Sequence, residues 1–174
     1  MSAIALGPEI ALTLNGERRS LPAAPFATLA DALRDAGLTG TKIGCDAGDC
    51  GACTVILDGA QVCACLVPAE QAQGGEVHTV EGAGPGGVTE RLRHAFLDHG
   101  AAQCGICTPG MLMAAADLLS RTASPSREEV ADALGGVLCR CTGYQAIVEA
   151  VLAASASAPL PGHAPPSPLV GEGG

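Results

Sequence analysis

The stretch GCDAGDCGACTVILDG, from Gly44 to Gly59, is the most informative part of this sequence. It holds Cys45, Cys50 and Cys53 in the C-x4-C-x2-C spacing that plant-type [2Fe–2S] ligation uses. The glycines among them allow the backbone to curl closely around an inorganic core, because glycine adopts positive φ readily. The stretch therefore predicts a loop that supplies three thiolate ligands and leads directly into a β-strand.

A fourth ligand is required, and Cys63 and Cys65 both qualify. A strand over residues 61–67 would put both side chains on one face, since side chains alternate along a strand. Periodicity therefore does not choose between them. A structural zinc site is the alternative for this set, but zinc sites favour C-x2–4-C pairs separated by a longer gap. Three cysteines within nine residues fit that pattern poorly.

Four further cysteines form a second set, arranged as C-x2-C and then, after 31 intervening residues, as C-x-C. Each pair stands immediately before a predicted helix start. Helix N-termini carry free N–H groups and partial positive charge, which stabilise an anionic centre. Zinc fits this spacing almost as well when the set is taken alone, but the first set favours a second iron–sulfur cluster. The four are Cys104, Cys107, Cys139 and Cys141.

The charge balance argues against nucleic acid as a partner. The 174 residues have a formal net charge of −9, whereas phosphate binding needs an excess of Lys and Arg. Two [2Fe–2S] clusters held by eight thiolates would lower the charge to roughly −13. We therefore expect the partner to be another protein.

The cysteine count and the start of the chain indicate a reducing compartment. Nine cysteines are an odd number for a disulfide framework, and the first residues lack the basic and apolar segments of a signal peptide. Arg18-Arg19 superficially resembles a twin-arginine signal, but the turn at Asn15-Gly16 argues against one. No apolar run approaches the length of a transmembrane helix. We expect a cytoplasmic protein without a membrane span.

The first half of the chain predicts a mixed α/β domain. Asn15-Gly16 and Asp58-Gly59 are hairpin signals between β-rich runs. Residues 28–36 have the spacing of a short helix, which Gly37 would end. The predicted strands are residues 10–14, 17–21, 54–57, 61–67 and 76–80.

The second half predicts four helices, as in a small bundle. The linker candidate before them is EGAGPGG, residues 81–87. Thr108 and Thr142 are predicted as N-caps, and Ser126 with Glu129 as a capping box. From about residue 155 the composition is dominated by Pro, Gly, Ala and Ser, which predicts disorder. The predicted helices are residues 88–99, 108–121, 126–134 and 142–154.

With both cysteine sets in place, the chain resembles the iron–sulfur subunit of the xanthine oxidase family of molybdenum hydroxylases. The resemblance covers about residues 8–154 and rests on GCDAGDCGACTVILDG, QCGICTPGM and LCRCTGYQAIVEAV. It implies an α+β fold with a plant-type ferredoxin-like β-grasp domain over residues 1–83 and a four-helix bundle domain over residues 84–156. Each domain would hold one [2Fe–2S] cluster, and residues 157–174 would form a disordered tail.

The resemblance also implies the ligands and their surroundings. The family's first cluster takes its fourth ligand after eleven intervening residues, which selects Cys65 and leaves Cys63 as a spare. In the family, the glutamine matching Gln103 contacts the molybdopterin of the large subunit. The cysteine matching Cys141 both ligates iron and approaches the pterin. The implied ligands are Cys45, Cys50, Cys53 and Cys65 for the first cluster and Cys104, Cys107, Cys139 and Cys141 for the second.

The function that the resemblance implies is that of an electron-transfer subunit in an oxidoreductase complex. A large molybdopterin-binding subunit would hydroxylate the substrate, and the two clusters would pass single electrons to FAD on another subunit or to another acceptor. We identify no catalytic residue and no substrate pocket in this chain. Two alternatives are a free-standing two-cluster ferredoxin-like electron carrier and a zinc-stabilised scaffold protein.

Overall fold

A computed structural model describes residues 9–82 and 87–156 of the chain. The predicted tail over residues 157–174, the first eight residues and residues 83–86 of the predicted linker lie outside the described residues. The described part folds around two hydrophobic cores, one beneath a β-sheet and one between helices. No helix in this part of the chain is long and apolar enough to cross a membrane.

One mixed sheet is built from five strands, which are β1 (Glu9–Leu14), β2 (Glu17–Pro22), β3 (Thr54–Leu57), β4 (Ala60–Cys63) and β5 (Glu76–His78). Their order across the sheet is β2-β1-β5-β3-β4. The hairpins β1–β2 and β3–β4 are antiparallel. Both residues of the Asn15-Gly16 turn and both of the Asp58-Gly59 turn have positive φ, as a type I′ turn requires. The two predicted hairpins are confirmed.

Helix α1 (Leu29–Asp35) covers one face of this sheet. Thr28 begins it with a capping box: its hydroxyl accepts the N–H of Asp31 at 3.2 Å, and the Asp31 carboxylate accepts the N–H of Thr28 at 3.0 Å. Leu29 and Leu33 are completely buried in the sheet core. Burial of each leucine side chain contributes about 1.5–3 kcal/mol, so this one face fixes the helix on the sheet.

The helical part consists of α2 (Val88–Asp98), α3 (Thr108–Arg121), α4 (Arg127–Leu134) and α5 (Gln145–Ala156). Its core is made of aliphatic side chains with one phenylalanine, Phe96. Helix α3 buries Ala114 and Ala115, whose small side chains allow neighbouring helices to come close. The capping box of Ser126 and Glu129 at α4 is present as predicted. Together with the sheet, these helices confirm the predicted α+β fold.

Glycine residues bring the sheet part and the helical part into backbone contact. A Cβ atom placed on Gly51, whose φ is +66°, would collide with the carbonyl oxygen of Gly136. A Cβ atom placed on Gly110, in the first turns of α3, would collide with the carbonyl oxygen of Gly51. The loop before β3 therefore packs directly against two segments of the helical part, with no side chain between them.

Two predicted strands are shorter in the structure. The run predicted over residues 61–67 leaves the sheet after Cys63 and continues as a 3-10 helix (Ala64–Leu66). This bend takes Ala64 and Cys65 into the core, where both are buried. The last strand, predicted to reach residue 80, ends at His78.

The N-cap of one helix and the start of another also differ from the prediction. The residue at the N-cap position of α3 is Cys107, so that Thr108 is the first helical residue. The last helix begins at Gln145 and not at Thr142. Gly143 and Tyr144 have φ of +65° and +67°, and a right-handed helix does not tolerate positive φ.

The backbone contact between Gly110 and Gly51 predicts that alanine at position 110 destabilises the protein, although alanine in a helix is usually favourable. Alanine in place of Gly110 raises helix propensity by about 1 kcal/mol, but its Cβ collides with the carbonyl oxygen of Gly51. Overpacking of this kind costs about 1–3 kcal/mol, so we expect Gly110→Ala to lower Tm by a few degrees in thermal unfolding followed by circular dichroism.

Gly136→Ala is the matched control, because nothing lies within 4 Å of its added Cβ. A Tm for Gly110→Ala at or above that of the unmodified chain would contradict the close packing of these two segments.

Candidate metal centres

The first cysteine loop directs backbone N–H groups at a sulfur atom. The N–H groups of Ala47 and Cys50 donate to Sγ of Cys45 over 3.4 and 3.3 Å. These hydrogen bonds lower the pKa of Cys45 to about 7. The thiolate is the form that binds a metal. The loop can curl in this way because Asp46, Gly48 and Gly51 all have positive φ.

Cys53 and Cys65 form the buried half of the first set. Cys53 stands directly before β3, Cys65 lies in the 3-10 helix after β4, and each thiol shifts the pKa of the other. Burial raises the pKa of Cys53, and it raises the pKa of Cys65 to about 11. Both thiols are therefore protonated at neutral pH, and a metal that binds here has to displace their protons.

Cys63, the predicted spare, lies close to the same site. It ends β4, is half-buried, and directs its Sγ at the carbonyl oxygen of Gly48 over 3.7 Å. Its side chain also reaches the sulfur of Cys53, and burial raises its pKa. The prediction of one strand face for both candidates is wrong, because Cys65 lies beyond the end of the strand. The choice of Cys65 as the fourth ligand stays a prediction.

The second set also divides into an exposed pair and a less exposed pair. Sγ of Cys104 and Sγ of Cys141 lie 3.6 Å apart, and both residues are exposed. The N–H of Ile106 lowers the pKa of Cys104, whereas a hydrogen bond with Cys104 raises the pKa of Cys141. Two thiolates on one tetrahedral metal, with metal–sulfur bonds of about 2.3 Å, lie about 3.8 Å apart. The observed separation fits that arrangement.

The other pair of the second set is Cys107 and Cys139, and each thiol shifts the pKa of the other. Burial raises the pKa of Cys107 to about 12. Burial also acts to raise the pKa of Cys139, but hydrogen bonds from the hydroxyl and the backbone of Thr142 outweigh it and bring the pKa to about 7. The pKa values of the neighbouring thiols Cys107 and Cys139 thus differ widely. This difference favours one negative charge on the pair in place of two.

The donor atoms fit a two-iron centre. Among residues 9–82 and 87–156, no three His, Cys, Asp or Glu side chains converge on a single ion position. A [2Fe–2S] cluster with four cysteine ligands needs two thiolates on each of two irons, and the sulfurs are arranged in such pairs. The pairs are Cys45 with Cys50, Cys53 with either Cys65 or Cys63, Cys104 with Cys141, and Cys107 with Cys139.

Thr142 and Tyr144 hold Cys139 in place, a role that the sequence did not predict for either residue. The N–H of Cys139 donates to the hydroxyl oxygen of Tyr144 at 2.8 Å, and its Sγ lies 3.1 Å from Oγ1 of Thr142. Thr142 is not the helix N-cap that the sequence predicts, because α5 begins only at Gln145. The signal in the sequence was the CTGY string itself, since Thr followed by Gly is typical of a turn closed by a hydroxyl.

The remaining predicted site residue, Gln103, precedes Cys104 and is exposed. Arg140, between two candidate ligands, is exposed as well, and so are the neighbouring Ile106 and Leu138. Gln103 and Ile106 lie within two residues of Cys104, and Leu138 and Arg140 each directly precede a cysteine of the second set. Apolar residues exposed beside a candidate redox centre are typical of a protein contact.

One hydrogen bond joins the two candidate centres directly. The N–H of Leu138 donates to the carbonyl oxygen of Cys50 over 2.9 Å. Cys50 belongs to the first set, and Leu138 is bonded to Cys139 of the second. The sulfurs of the two sets are therefore connected through backbone bonds and this single hydrogen bond.

Family models and relatives agree with these centres. Residues 12–79 match the model described as a 2Fe-2S iron-sulfur cluster binding domain, and residues 79–152 match a [2Fe-2S] binding domain. The nicotine 6-hydroxylase small subunit of Paenarthrobacter nicotinovorans is 52% identical over 145 residues, which are 83% of this chain and 87% of that protein. The nicotinate dehydrogenase small FeS subunit of Eubacterium barkeri is 48% identical over 143 residues, with 82% and 91% covered.

A solved structure shows the same fold. Quinoline 2-oxidoreductase from Pseudomonas putida 86 matches with a TM-score of 0.80 and 45% identity, over 87% of this chain and 95% of that chain. The sheet, the helices and the two cysteine sets define an iron–sulfur electron-transfer subunit of an oxidoreductase. The chain belongs to the iron–sulfur subunits of the xanthine oxidase family of molybdenum hydroxylases. Because these relatives are named as subunits, the comparisons do not favour the alternative of a free-standing electron carrier.

Substitution of the two neighbouring cysteines tests the fourth ligand of the first set. We expect Cys65→Ala to lower the iron content by about half and to remove one of two electron paramagnetic resonance signals after dithionite reduction, because each cluster needs all its thiolates. Cys63→Ala is the control and should keep both signals.

A first-cluster signal that persists in Cys65→Ala but disappears in the double variant with Cys63→Ala would contradict this prediction. It would identify Cys63 as a ligand.

Proposed function

We propose that this chain binds two [2Fe–2S] clusters through the eight paired cysteines and transfers single electrons within a heteromeric molybdenum hydroxylase. A [2Fe–2S] cluster supplies one-electron chemistry when it is bound, alternating between two ferric ions and one ferric with one ferrous ion. The large partner subunit binds molybdopterin and contains the substrate site. FAD on another subunit, or a different acceptor, receives the electrons.

The ligand assignment is supported by the sulfur pairs, and the choice of Cys65 over Cys63 by the eleven residues that separate Cys53 from Cys65, as in the family that the chain resembles. Cys45, Cys50, Cys53 and Cys65 hold the first cluster, and Cys104, Cys107, Cys139 and Cys141 hold the second. Zinc in these sites would leave the chain redox-silent, and the match of both halves to [2Fe–2S] binding domains supports iron.

The observation that carries the relay is the hydrogen bond from the N–H of Leu138 to the carbonyl oxygen of Cys50. A scaffold protein or a pair of independent carriers has no need for a short connection between its two centres. The glycine contacts described above bring the two parts together at this connection and leave no room for a side chain between them.

The exposed sulfurs of the two sets support a proposal for where electrons enter and leave. The second set presents Cys104 and Cys141 at the surface beside Gln103, and we assign this surface to the molybdopterin subunit. Gln103 would contact the pterin there, and Cys141 would approach it. The first set presents Cys45, and we assign that surface to the acceptor.

The assignment of parts follows the cores and the family models. We propose a ferredoxin-like domain over residues 1–83, a helical domain over residues 84–156 and a tail over residues 157–174. The two cores lie on either side of residue 83, and the two family matches meet at residue 79. We also propose that the complex is cytoplasmic, where thiols stay reduced and clusters can be inserted.

The order of the two clusters is testable in the complex purified from its native host. The first step is a screen for a compound that reduces the complex. The compounds to screen are those in the names of relatives, namely nicotine, nicotinate, xanthine and quinoline. With the reactive compound, a complex that carries Cys45→Ala should still show the second cluster's paramagnetic signal, because its ligands are intact. Transfer to flavin should be lost.

Rapid mixing with freeze-quench detection makes this measurement. Flavin reduction at the unmodified rate in the Cys45→Ala complex would overturn the proposed order. If this chain were always purified without a molybdenum-containing subunit, the proposal of a molybdenum hydroxylase complex would be wrong.

Gln103 provides a test of the pterin contact. Loss of one hydrogen bond of about 1.4 kcal/mol changes a rate about tenfold, so we expect Gln103→Ala to slow reduction of the second cluster by substrate about tenfold. Reduction by dithionite, which bypasses the pterin, should be unchanged.

The control for this variant is Gln71→Ala, an exposed glutamine in the 3-10 helix (Ala69–Ala72) of the sheet domain. Equal substrate-dependent rates for Gln103→Ala and Gln71→Ala would exclude a functional pterin contact.

A further inference from the structure

The turn that follows Cys141 brings a hydroxyl group to the sulfur of a candidate ligand. Oγ1 of Thr142 lies 3.1 Å from Sγ of Cys139. Thr142 follows a ligand in sequence but contacts the ligand of the other sulfur pair. The hydroxyl therefore acts on Cys139 and not on its own neighbour, Cys141.

The hydrogen of this hydroxyl has a defined direction. The N–H of Tyr144 donates to Oγ1 of Thr142 over 3.1 Å, so one lone pair of the oxygen is occupied. A cysteine that ligates iron is a thiolate and has no hydrogen to donate. The Thr142 O–H must then donate to Sγ of Cys139, in a charge-assisted hydrogen bond, which is roughly twice as strong as a neutral one.

Several contacts hold the backbone of this turn in place, and they thereby fix the position of the Thr142 hydroxyl. Tyr144 adopts a φ of +67°, which is costly for a bulky side chain and persists only where neighbours enforce it. The Tyr144 ring packs against the helical core, and its hydroxyl accepts the N–H of Cys139. Gln145 N–H bonds to the carbonyl oxygen of Gly143 at 2.9 Å.

We propose that Thr142 is a positioning residue that raises the reduction potential of the second cluster, a proposal that rests on the ligand role proposed for Cys139. The cluster gains one electron on reduction and no atom is transferred. The added negative charge is shared with the ligand sulfurs, so a hydrogen bond to Cys139 stabilises the reduced form more than the oxidised form. Hydrogen bonds to sulfur are one of the factors that set such potentials.

The test is a redox titration of the full chain followed by electron paramagnetic resonance. We expect Thr142→Val, which replaces the hydroxyl with a methyl group, to shift the midpoint of the second cluster's signal to lower potential. Thr142→Ser keeps the hydroxyl and should restore the original midpoint. The first cluster's signal is an internal control and should not move in either variant.

A midpoint for Thr142→Val equal to that of the unmodified chain overturns the proposal. Loss of the second signal in both Thr142→Val and the smaller Thr142→Ala also overturns it, because the hydroxyl would then be needed to assemble the site and not to tune it.

Cys139→Ala separates failure of this proposal from failure of the ligand assignment. Loss of the second signal in Cys139→Ala, together with an unmoved midpoint in Thr142→Val, rejects only the tuning role. Retention of the second signal in Cys139→Ala rejects the ligand assignment on which the tuning role depends.

Discussion

Direct backbone contact between two halves of the chain is the constraint on which the rest of the structure depends. Gly51 packs against Gly110 and Gly136, where no Cβ can be accommodated on Gly51 or Gly110. The contact aligns the carbonyl oxygen of Cys50 with the N–H of Leu138. Cys50 is a candidate ligand of the first cluster, and Leu138 directly precedes Cys139, a candidate ligand of the second. A side chain in this contact would push the two centres apart and break the hydrogen bond, so the small residues serve the relay as well as the packing.

Both centres share a division into a less exposed and a more exposed pair of thiols. Cys53 and Cys65 in the first, and Cys107 in the second, are less than one tenth exposed, whereas Cys45, Cys104 and Cys141 are exposed. The less exposed pairs lie toward the cores and connect cluster binding to folding. The more exposed pairs lie where another protein can approach. A chain with a net charge of −9 that binds anionic clusters would repel other acidic surfaces, and it therefore needs partners whose contact surfaces compensate that charge.

Local signals made much of this fold predictable. The two hairpins follow from Asn15-Gly16 and Asp58-Gly59, whose conformations are a property of the residues themselves, and the capping box at Ser126 needs only a neighbour three residues away. The bend that places Cys65 in a 3-10 helix was missed, because burial of Ala64 and Cys65 against a distant core outweighed the β propensity of that run. The contact of Leu138 with Cys50 joins residues 88 positions apart in the sequence, and no local pattern encodes it. Cysteine spacing identified the kind of centre, while the hydroxyl of Thr142 became visible only with the turn.

The clusters also complete a fold whose own core is lean. Only three residues of the chain are aromatic, namely Phe26, Phe96 and Tyr144, and Phe26 is fully exposed. Cys107 and Cys139 stand at the two ends of a segment that includes all of α3 and α4, so a metal bound by both closes a long loop, and loop closure is a cost that metal binding offsets. The raised pKa values of Cys53, Cys65 and Cys107 mean that cluster insertion also releases protons. Cluster insertion would therefore be coupled to ordering of the core within each half of the chain, whereas the glycine contacts hold the two halves against each other.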